Sequence, residues 1–368
     1  MNRKETVVTA ARPNPNIVYS IQLLRGLAAM LVLVRHTAKF AYPGHAFPVG
    51  QAGVDIFFAI SGIVIYLTSR KLSWHVFVRR RLARIVPLYW LATTLALLAV
   101  LAAGGTGVTH GTATVLNTVG SFLFIPTFDG DGRPFPLIVA GWTLNFEMYF
   151  YAICAMVLAT PLRSHFTRFV SAIIVAGVML GCVLFCGNGD QPGWAPLYLL
   201  LPITLEFVGG MLLAHAWTRG VRTPLWLNLS LVVAAIGWLA LAPSSEPYTP
   251  FRPIGWGIPA LAIVWAAFAS EERIPFARFR FGLLLGDSSY ALYLIHPIAL
   301  AAWVVVLRKL PVKLPSSLAA VLAIVGCVVA GILVHLIVEK WLVRIASRLL
   351  GLRRPPSPAC MESTETAR

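Results

Sequence analysis

An arginine and a histidine eleven residues apart, Arg25 and His36, lie in the first apolar stretch of the chain. In a helix that spacing is about three turns, so the two share one face with about 16 Å of rise between them. One helix then presents a cation near one membrane surface and, near the other, an imidazole able to take or give a proton at neutral pH. Two acids stand in other apolar stretches: Asp55 in GVDIFFAISG, which also holds Ser61, and Glu147 in WTLNFEMYFY, beside Trp142, Tyr149 and Tyr151. Both are expected to face the bundle interior, with Glu147 near the depth of His36 and close enough for an acid–base or orienting pair. Arg79, Arg80, Arg81 and Arg84 in WHVFVRRRLARIVPLY gather guanidinium groups at one membrane mouth, and guanidinium forks match phosphate oxygens. Finally, GDSSYALYLIHPI brings Ser288, Ser289, Tyr290, Tyr293 and His296 into one helix, the last three on a common face. Pro297 frees a backbone carbonyl there, and broken membrane helices adjoin cavities.

Each feature has a plainer structural alternative. Arg25 reads equally as a snorkelling interfacial arginine and His36 as a satisfied structural histidine. Asp55 suits a helix N-terminus, where free N–H groups and the dipole stabilise an acid. The arginine cluster suits an anchor against anionic lipid, and the tyrosine stripe a contact between helices. A charged group within a span costs upward of about 2.5 kcal/mol, and the face shared by Arg25 and His36 favours chemistry for both. Glu206 has no sequence neighbour that suggests a reaction.

The elements that must position these groups are membrane helices. Of 368 residues, 58% are hydrophobic and only 12% charged, and the mean hydropathy is +0.77. Soluble domains carry roughly 25% charged residues, so an ordinary soluble domain is excluded. The balance of 30 Lys+Arg against 14 Asp+Glu is not a nucleic-acid signal here, because the polar surface to display it is missing. The five cysteines show neither CxxC spacing nor a histidine cluster, so neither a disulfide framework nor a metal site is expected; Cys182 and Cys186 read as small apolar side chains on one face.

At about 20 apolar residues per crossing, ten spans are expected: 18–40, 52–69, 86–103, 138–159, 168–186, 196–217, 225–242, 254–270, 286–307 and 317–338. Residues 115–126 are apolar but too short to cross. With the N-terminus inside, 22 of the 30 basic residues fall on the inner side and 5 on the outer, which predicts both termini in the cytoplasm. The fold expected is all-α, a polytopic helix bundle at 17–338. A cytoplasmic tail, 1–16, precedes it, without the cleavage site of a removed signal. The 339–368 segment follows as an amphipathic helix on the inner surface and a disordered Pro-rich end, with no appended soluble domain.

Together the strings resemble the integral-membrane acyltransferase family 3, whose members include O-acyltransferases of exopolysaccharide, lipopolysaccharide and Nod-factor sugars. Arg25 to His36 is similar to the family's Arg-x10-His motif, and GVDIFFAISG, RLARIVPLY, WTLNFEMYFY and SYALYLIHP stand in the family's order, from about Ile21 to Glu339. The resemblance implies transfer of an acyl group, usually acetyl, from cytoplasmic acetyl-CoA to a hydroxyl of a saccharide, free or lipid-linked. It implies a multi-pass protein of a bacterial inner membrane that meets acyl-CoA, saccharide and lipid but no nucleic acid. By the same likeness the family's essential histidine falls on His36, its arginine on Arg25, its membrane glutamate on Glu147 and its inner-face arginine pair on Arg81 and Arg84; Asp55 joins the expected catalytic set, and Arg80 and Tyr89 the expected donor site. Trp142, Tyr290, Tyr293, His296 and Ser61 line the substrate path. One position departs: many members carry Asp three residues before the motif arginine, where this chain has Gln22, as in the exopolysaccharide branch.

The mechanism that follows has His36 as general base, or as the carrier of the acyl group in a covalent intermediate, with Glu147 orienting it or stabilising its imidazolium form, and Tyr290 or Trp142 holding the thioester oxygen. The pantetheine arm, about 15–20 Å long, matches the rise from Arg25 to His36. A rival reading is a transporter or exporter of a lipid-linked or acylated sugar, since buried His, Asp and Glu also suit a proton relay. Against it, the two halves of the chain do not repeat one another.

Overall fold

The computed structural model describes residues 18–41, 47–102, 113–185, 194–242, 251–309 and 314–352, and among them there are helices and no strands. The expected N-terminal tail and the end beyond residue 352, with Cys186 and Cys360, lie outside these residues. In chain order the helices are α1 (Tyr19–Ala41), α2 (Ala52–Ser69), α3 (Trp74–Ala102), α4 (Val115–Leu123), α5 (Gly141–Leu158) and α6 (Phe166–Phe185). They continue with α7 (Leu205–Thr218), α8 (Leu225–Leu241), α9 (Ile258–Ala269), α10 (Arg280–Arg308), α11 (Ser316–Leu333) and α12 (Lys340–Leu349).

Among the described residues six stretches are long and apolar enough to cross a membrane: Tyr19–Lys39, Pro48–Ser69, Trp74–Ala102, Pro161–Leu184, Arg280–Leu307 and Ser316–Leu349. Six of the ten expected spans therefore meet that test. Of the other four, α8 and α9 are apolar but shorter. The stretch expected as 196–217 holds only the 14 residues of α7 as α-helix. Its first part is two 3-10 turns, each opened by a proline, Pro196 and Pro202, whose missing N–H groups break the regular ladder. Asn145 and Glu147 interrupt the apolar run of α5. As expected, α4 is too short to cross, with nine residues between an N-cap at Thr114 and a left-handed Phe124.

Two boundaries differ from expectation in ways that matter for the site. Dense arginines made residues 70–84 read as a loop, yet α3 begins at Trp74 and runs unbroken past Pro87. A helix sorts the cluster by angle: Arg79 and Arg80 are exposed, while Arg81 and Arg84, three residues apart, turn inward together. The second difference is at the C-terminal end. The amphipathic helix is present as α12, but it continues from α11 through a π-helical turn, Val334–Glu339, and Glu339 is buried in place of opening a surface helix.

Small residues set the spacing of the helices that carry the site, as membrane packing requires. Gly26 of α1 lies against Gly286 of α10, where an added Cβ would stand 3.0 Å from the Gly286 nitrogen. This close crossing brings the face of α1 that carries Arg25 and His36 against α10. Having no acid in its own first turn, α1 borrows one: Glu271 accepts hydrogen bonds from the Tyr19 and Ser20 N–H groups, both 2.8 Å. The central helix is α2, 72% buried where α6 and α11 are 22%.

Candidate active site

Between α1, α2, α3, α5 and α10 lies a cavity whose empty space, the open space at its mouth included, is about 880 Å³. Three guanidinium groups line it: Arg25 from α1 and Arg81 and Arg84 from α3. The rest of its wall is apolar or aromatic with a few polar groups, among them Phe57 and Ser61 of α2, Glu147 of α5, and Tyr290 and Tyr293 of α10. A site that is mostly apolar with a few convergent charges is the usual form of a small-molecule cavity.

The cations are held from behind. Arg81 donates to the hydroxyls of Thr68 and Ser69 at the end of α2, 3.0 and 3.1 Å away. Its guanidinium stands 5.6 Å from the rings of both Phe77 and Tyr151, contacts worth about 0.5–2 kcal/mol each in a site sheltered from water. The Tyr151 hydroxyl in turn donates to Glu147, whose carboxylate also lies 3.5 Å from the Ser61 hydroxyl. Arg25 donates to Gln22 at 3.3 Å, and the Gln22 amide donates to Asp287 of α10. Where the family pattern often has an acid, this chain thus has an amide that links the motif arginine to an acid on the neighbouring helix.

At the far end Tyr293 and Thr143 close the cavity, their hydroxyl oxygens 2.9 Å apart. Thr143 gives its proton to the Ala140 carbonyl at 3.1 Å, so the Tyr293 hydroxyl is the donor between them. Beyond this roof stand His36 and His296, with His36 Nδ1 2.7 Å from His296 Nε2. The other nitrogen of His296, Nδ1, lies 2.6 Å from the Tyr293 carbonyl oxygen. A carbonyl only accepts, so His296 Nδ1 carries a proton and Nε2 of the neutral ring carries the lone pair. His36 must then donate from Nδ1, which puts the lone pair of neutral His36 on Nε2. Pro297 permits the whole arrangement. In a regular helix its N–H would occupy the carbonyl four residues back, and that carbonyl is Tyr293's.

Several expected site residues fall elsewhere. Glu147 does not orient His36; it serves Tyr151 and Ser61, and His296 takes the orienting place. Asp55 is fully buried in another part of the bundle, where it accepts from Arg252 at 2.6 and 3.1 Å. Gln51 accepts from the same guanidinium at 3.1 Å, and Glu206 is buried nearby against Gly257. Arg252 had read as an outer-side topology charge; it is a core counter-ion, 2% exposed. Tyr89 is buried against Phe124, their ring centroids 4.4 Å apart, and Trp142 packs on Phe146; neither lines the cavity, and Arg80 is exposed outside it. The Tyr290 hydroxyl is committed to the Ile85 carbonyl at 2.7 Å, which ties α10 to α3 and takes it away from any thioester oxygen. Thr143 and Glu339 were not singled out from sequence, and Tyr151 only as a neighbour of Glu147. Among the described residues no three His, Cys, Asp or Glu side chains are grouped as a metal would need.

A cavity with cations on its wall and a proton-accepting ring beyond its roof, all within an apolar helical bundle, fits a membrane enzyme of group transfer. The family profile described as an acyltransferase domain matches residues 18–336. The chain belongs to this family, the integral-membrane acyltransferase family 3. It is 32% identical to the exopolysaccharide production protein ExoZ of Rhizobium meliloti (strain 1021), over 82% of this chain and 92% of that one. It is also 27% identical to the acyltransferase MdmB of Streptomyces mycarofaciens, over 95% of this chain and 97% of that one. No solved structure gives a significant match. Membership decides between the enzyme and transporter readings in favour of a membrane-bound transferase that acylates a hydroxyl.

Proposed function

We propose that the chain transfers an acetyl group from cytoplasmic acetyl-CoA to a hydroxyl of an exported or cell-surface saccharide, with His36 Nε2 as the general base. The observation that carries the reading is the line from Arg81 and Arg84, through the cavity, to the roof formed by Thr143 and Tyr293 and the histidine pair behind it. The printed name of ExoZ, exopolysaccharide production, supports a saccharide acceptor. The predominance of basic residues on one side supports a cytoplasmic arginine end.

In this reading the donor phosphates sit on Arg81 and Arg84, with Arg25 further in, and Arg79 and Arg80 outside meet lipid headgroups. The pantetheine arm runs along Ser61 and Phe57 toward the roof. Parting of the Thr143–Tyr293 hydrogen bond admits the small acetyl group to the histidine pair. Nε2 of His36 removes the acceptor hydroxyl proton as its oxygen attacks the thioester carbonyl. The C–O bond forms, the C–S bond breaks, and the proton passes from His36 to the departing thiolate. His296 accepts from Nδ1 throughout, fixing the ring and sharing its charge while it is protonated. Glu147, through Tyr151, holds Arg81 and offsets the charge of the arginines.

The test is binding and turnover of acetyl-CoA by the detergent-purified protein. The unmodified chain binds saturably and releases thiol. His36→Ala binds equally and releases none, and Arg81→Ala with Arg84→Ala binds at least about tenfold more weakly. Undiminished transfer by the His36 variant, or no binding by the unmodified chain, overturns the reading.

A further inference from the structure

Glu339 closes the π-helical turn between α11 and α12 and is 1% exposed. A carboxylate is kept so deep only where it is paired, and here one of its two partners, Arg84, lines the cavity. His335, one turn earlier and itself buried, meets Glu339 Oε2 through Nδ1 at 2.8 Å. The second oxygen, Oε1, faces Nη1 of Arg84 at 3.8 Å. Arg84 lines the cavity with its side chain 40% exposed, whereas that of Glu339 is 2% exposed. The acid is thus walled off behind the cation. At 3.8 Å the two are too far apart for a hydrogen bond. Charge steers the guanidinium while its five N–H donors stay available to a ligand. The turn that delivers Glu339 is itself irregular, and π-turns inside helices gather at functional positions.

We propose that Glu339, backed by His335, is a positioning residue for the acyl donor, setting the orientation in which Arg84 receives a phosphate oxygen. The inference rests on the donor-site reading above, and a double-mutant cycle on coenzyme A binding separates the two. Calorimetry on the detergent-purified full chain is run with Arg84→Ala, Glu339→Gln and the double variant, and steady-state rates are taken alongside. Expected are binding about tenfold weaker for Arg84→Ala and about fivefold weaker for Glu339→Gln, the latter being the scale of an ion pair with one partly exposed member. The KM for acetyl-CoA rises in the Glu339 variant with kcat within about twofold, and the double variant binds like Arg84→Ala alone, because Glu339 acts only through Arg84. If Arg84→Ala weakens binding and Glu339→Gln does not, or if the two losses multiply in the double variant, the positioning role is overturned and the donor site stands. If Arg84→Ala binds normally, the donor site itself is wrong. Should Glu339→Gln fail to fold, Glu339→Asp, which keeps the charge but withdraws it by one methylene, enters the same cycle with a smaller loss expected.

Discussion

Replacing His296 by phenylalanine keeps a flat ring in the space but removes two hydrogen bonds at once, the one to His36 Nδ1 at 2.7 Å and the one to the Tyr293 carbonyl at 2.6 Å. The first loss acts on catalysis. A buried hydrogen bond contributes about 0.5–1.5 kcal/mol net, so a ring that is merely looser lowers kcat by about two- to thirteenfold. If the His36 proton also moves to Nε2, the lone pair no longer faces the acceptor hydroxyl, and the whole general-base contribution of about 10²–10⁴ is at stake. The expected fall in kcat is therefore about two- to thirteenfold if the ring only loosens and about 10²- to 10⁴-fold if the proton moves, with the KM for acetyl-CoA unchanged because His296 does not line the cavity. The second loss strands a buried carbonyl and lowers stability by about 1–3 kcal/mol, read as a lower melting temperature in detergent. His296→Gln is the control. Its amide oxygen is an acceptor that reaches toward His36, so kcat recovers by at least about fivefold over phenylalanine. Full activity in the phenylalanine variant, or equal losses for Gln and Phe, would refute the tautomer argument.

Asp55→Asn leaves Arg252 buried without the carboxylate charge it pairs with; a loss of about 3 kcal/mol or more in stability is expected, with coenzyme A affinity unchanged in whatever remains folded, as thermal melts and calorimetry will show. Replacing both partners with apolar residues, Asp55→Leu with Arg252→Met, is expected to restore most of that stability. Gly286→Leu inserts a side chain where the Gln22 backbone passes, forcing α10 away from α1; transfer falls by at least about tenfold, out of proportion to a destabilisation of about 1–3 kcal/mol, because the histidine pair spans that seam. Thr143→Ala removes the roof hydroxyl and one methyl group, and competition between donors is expected to shift by about tenfold from acetyl-CoA toward propionyl-CoA, one methylene being worth about 1–3 kcal/mol in such a slot.

How far the sequence reaches is clearest along single helices. The second span was expected at 52–69 and α2 occupies those residues; the ends of α1 and of the shorter apolar helices fall within a few residues of expectation. These boundaries are local matters of hydropathy and of Gly and Pro. Position along a helix was legible in the same way, which is why Arg25 reads as belonging to one end of the first helix and His36 to the other. Azimuth between helices was not. His36 and Glu147 share a depth on paper, yet the side chain facing His36 is His296, 260 residues away, because the Gly26–Gly286 contact makes α1 and α10 neighbours. Asp55 and Arg252 are 197 residues apart, and no local pattern links them. The arginine run misled in the opposite sense, since its composition suggested a loop while its spacing at residues 81 and 84 already carried the helical face.

Most histidine bases are held by a carboxylate, which is itself an acid and lets go of the ring when it is protonated. Here the holding force ends in the main chain, at a carbonyl that Pro297 leaves open, and an amide oxygen does not titrate. The orientation of His36 is therefore passed through one imidazole to the backbone, and protonation of His296 at Nε2 is the one ionisation that would release it. A rate profile measured against falling pH has on this account only the histidines' own protonation to report. An exchange of Pro297 for alanine, which touches no substrate, would give the carbonyl back to the helix and alter that profile from one turn away.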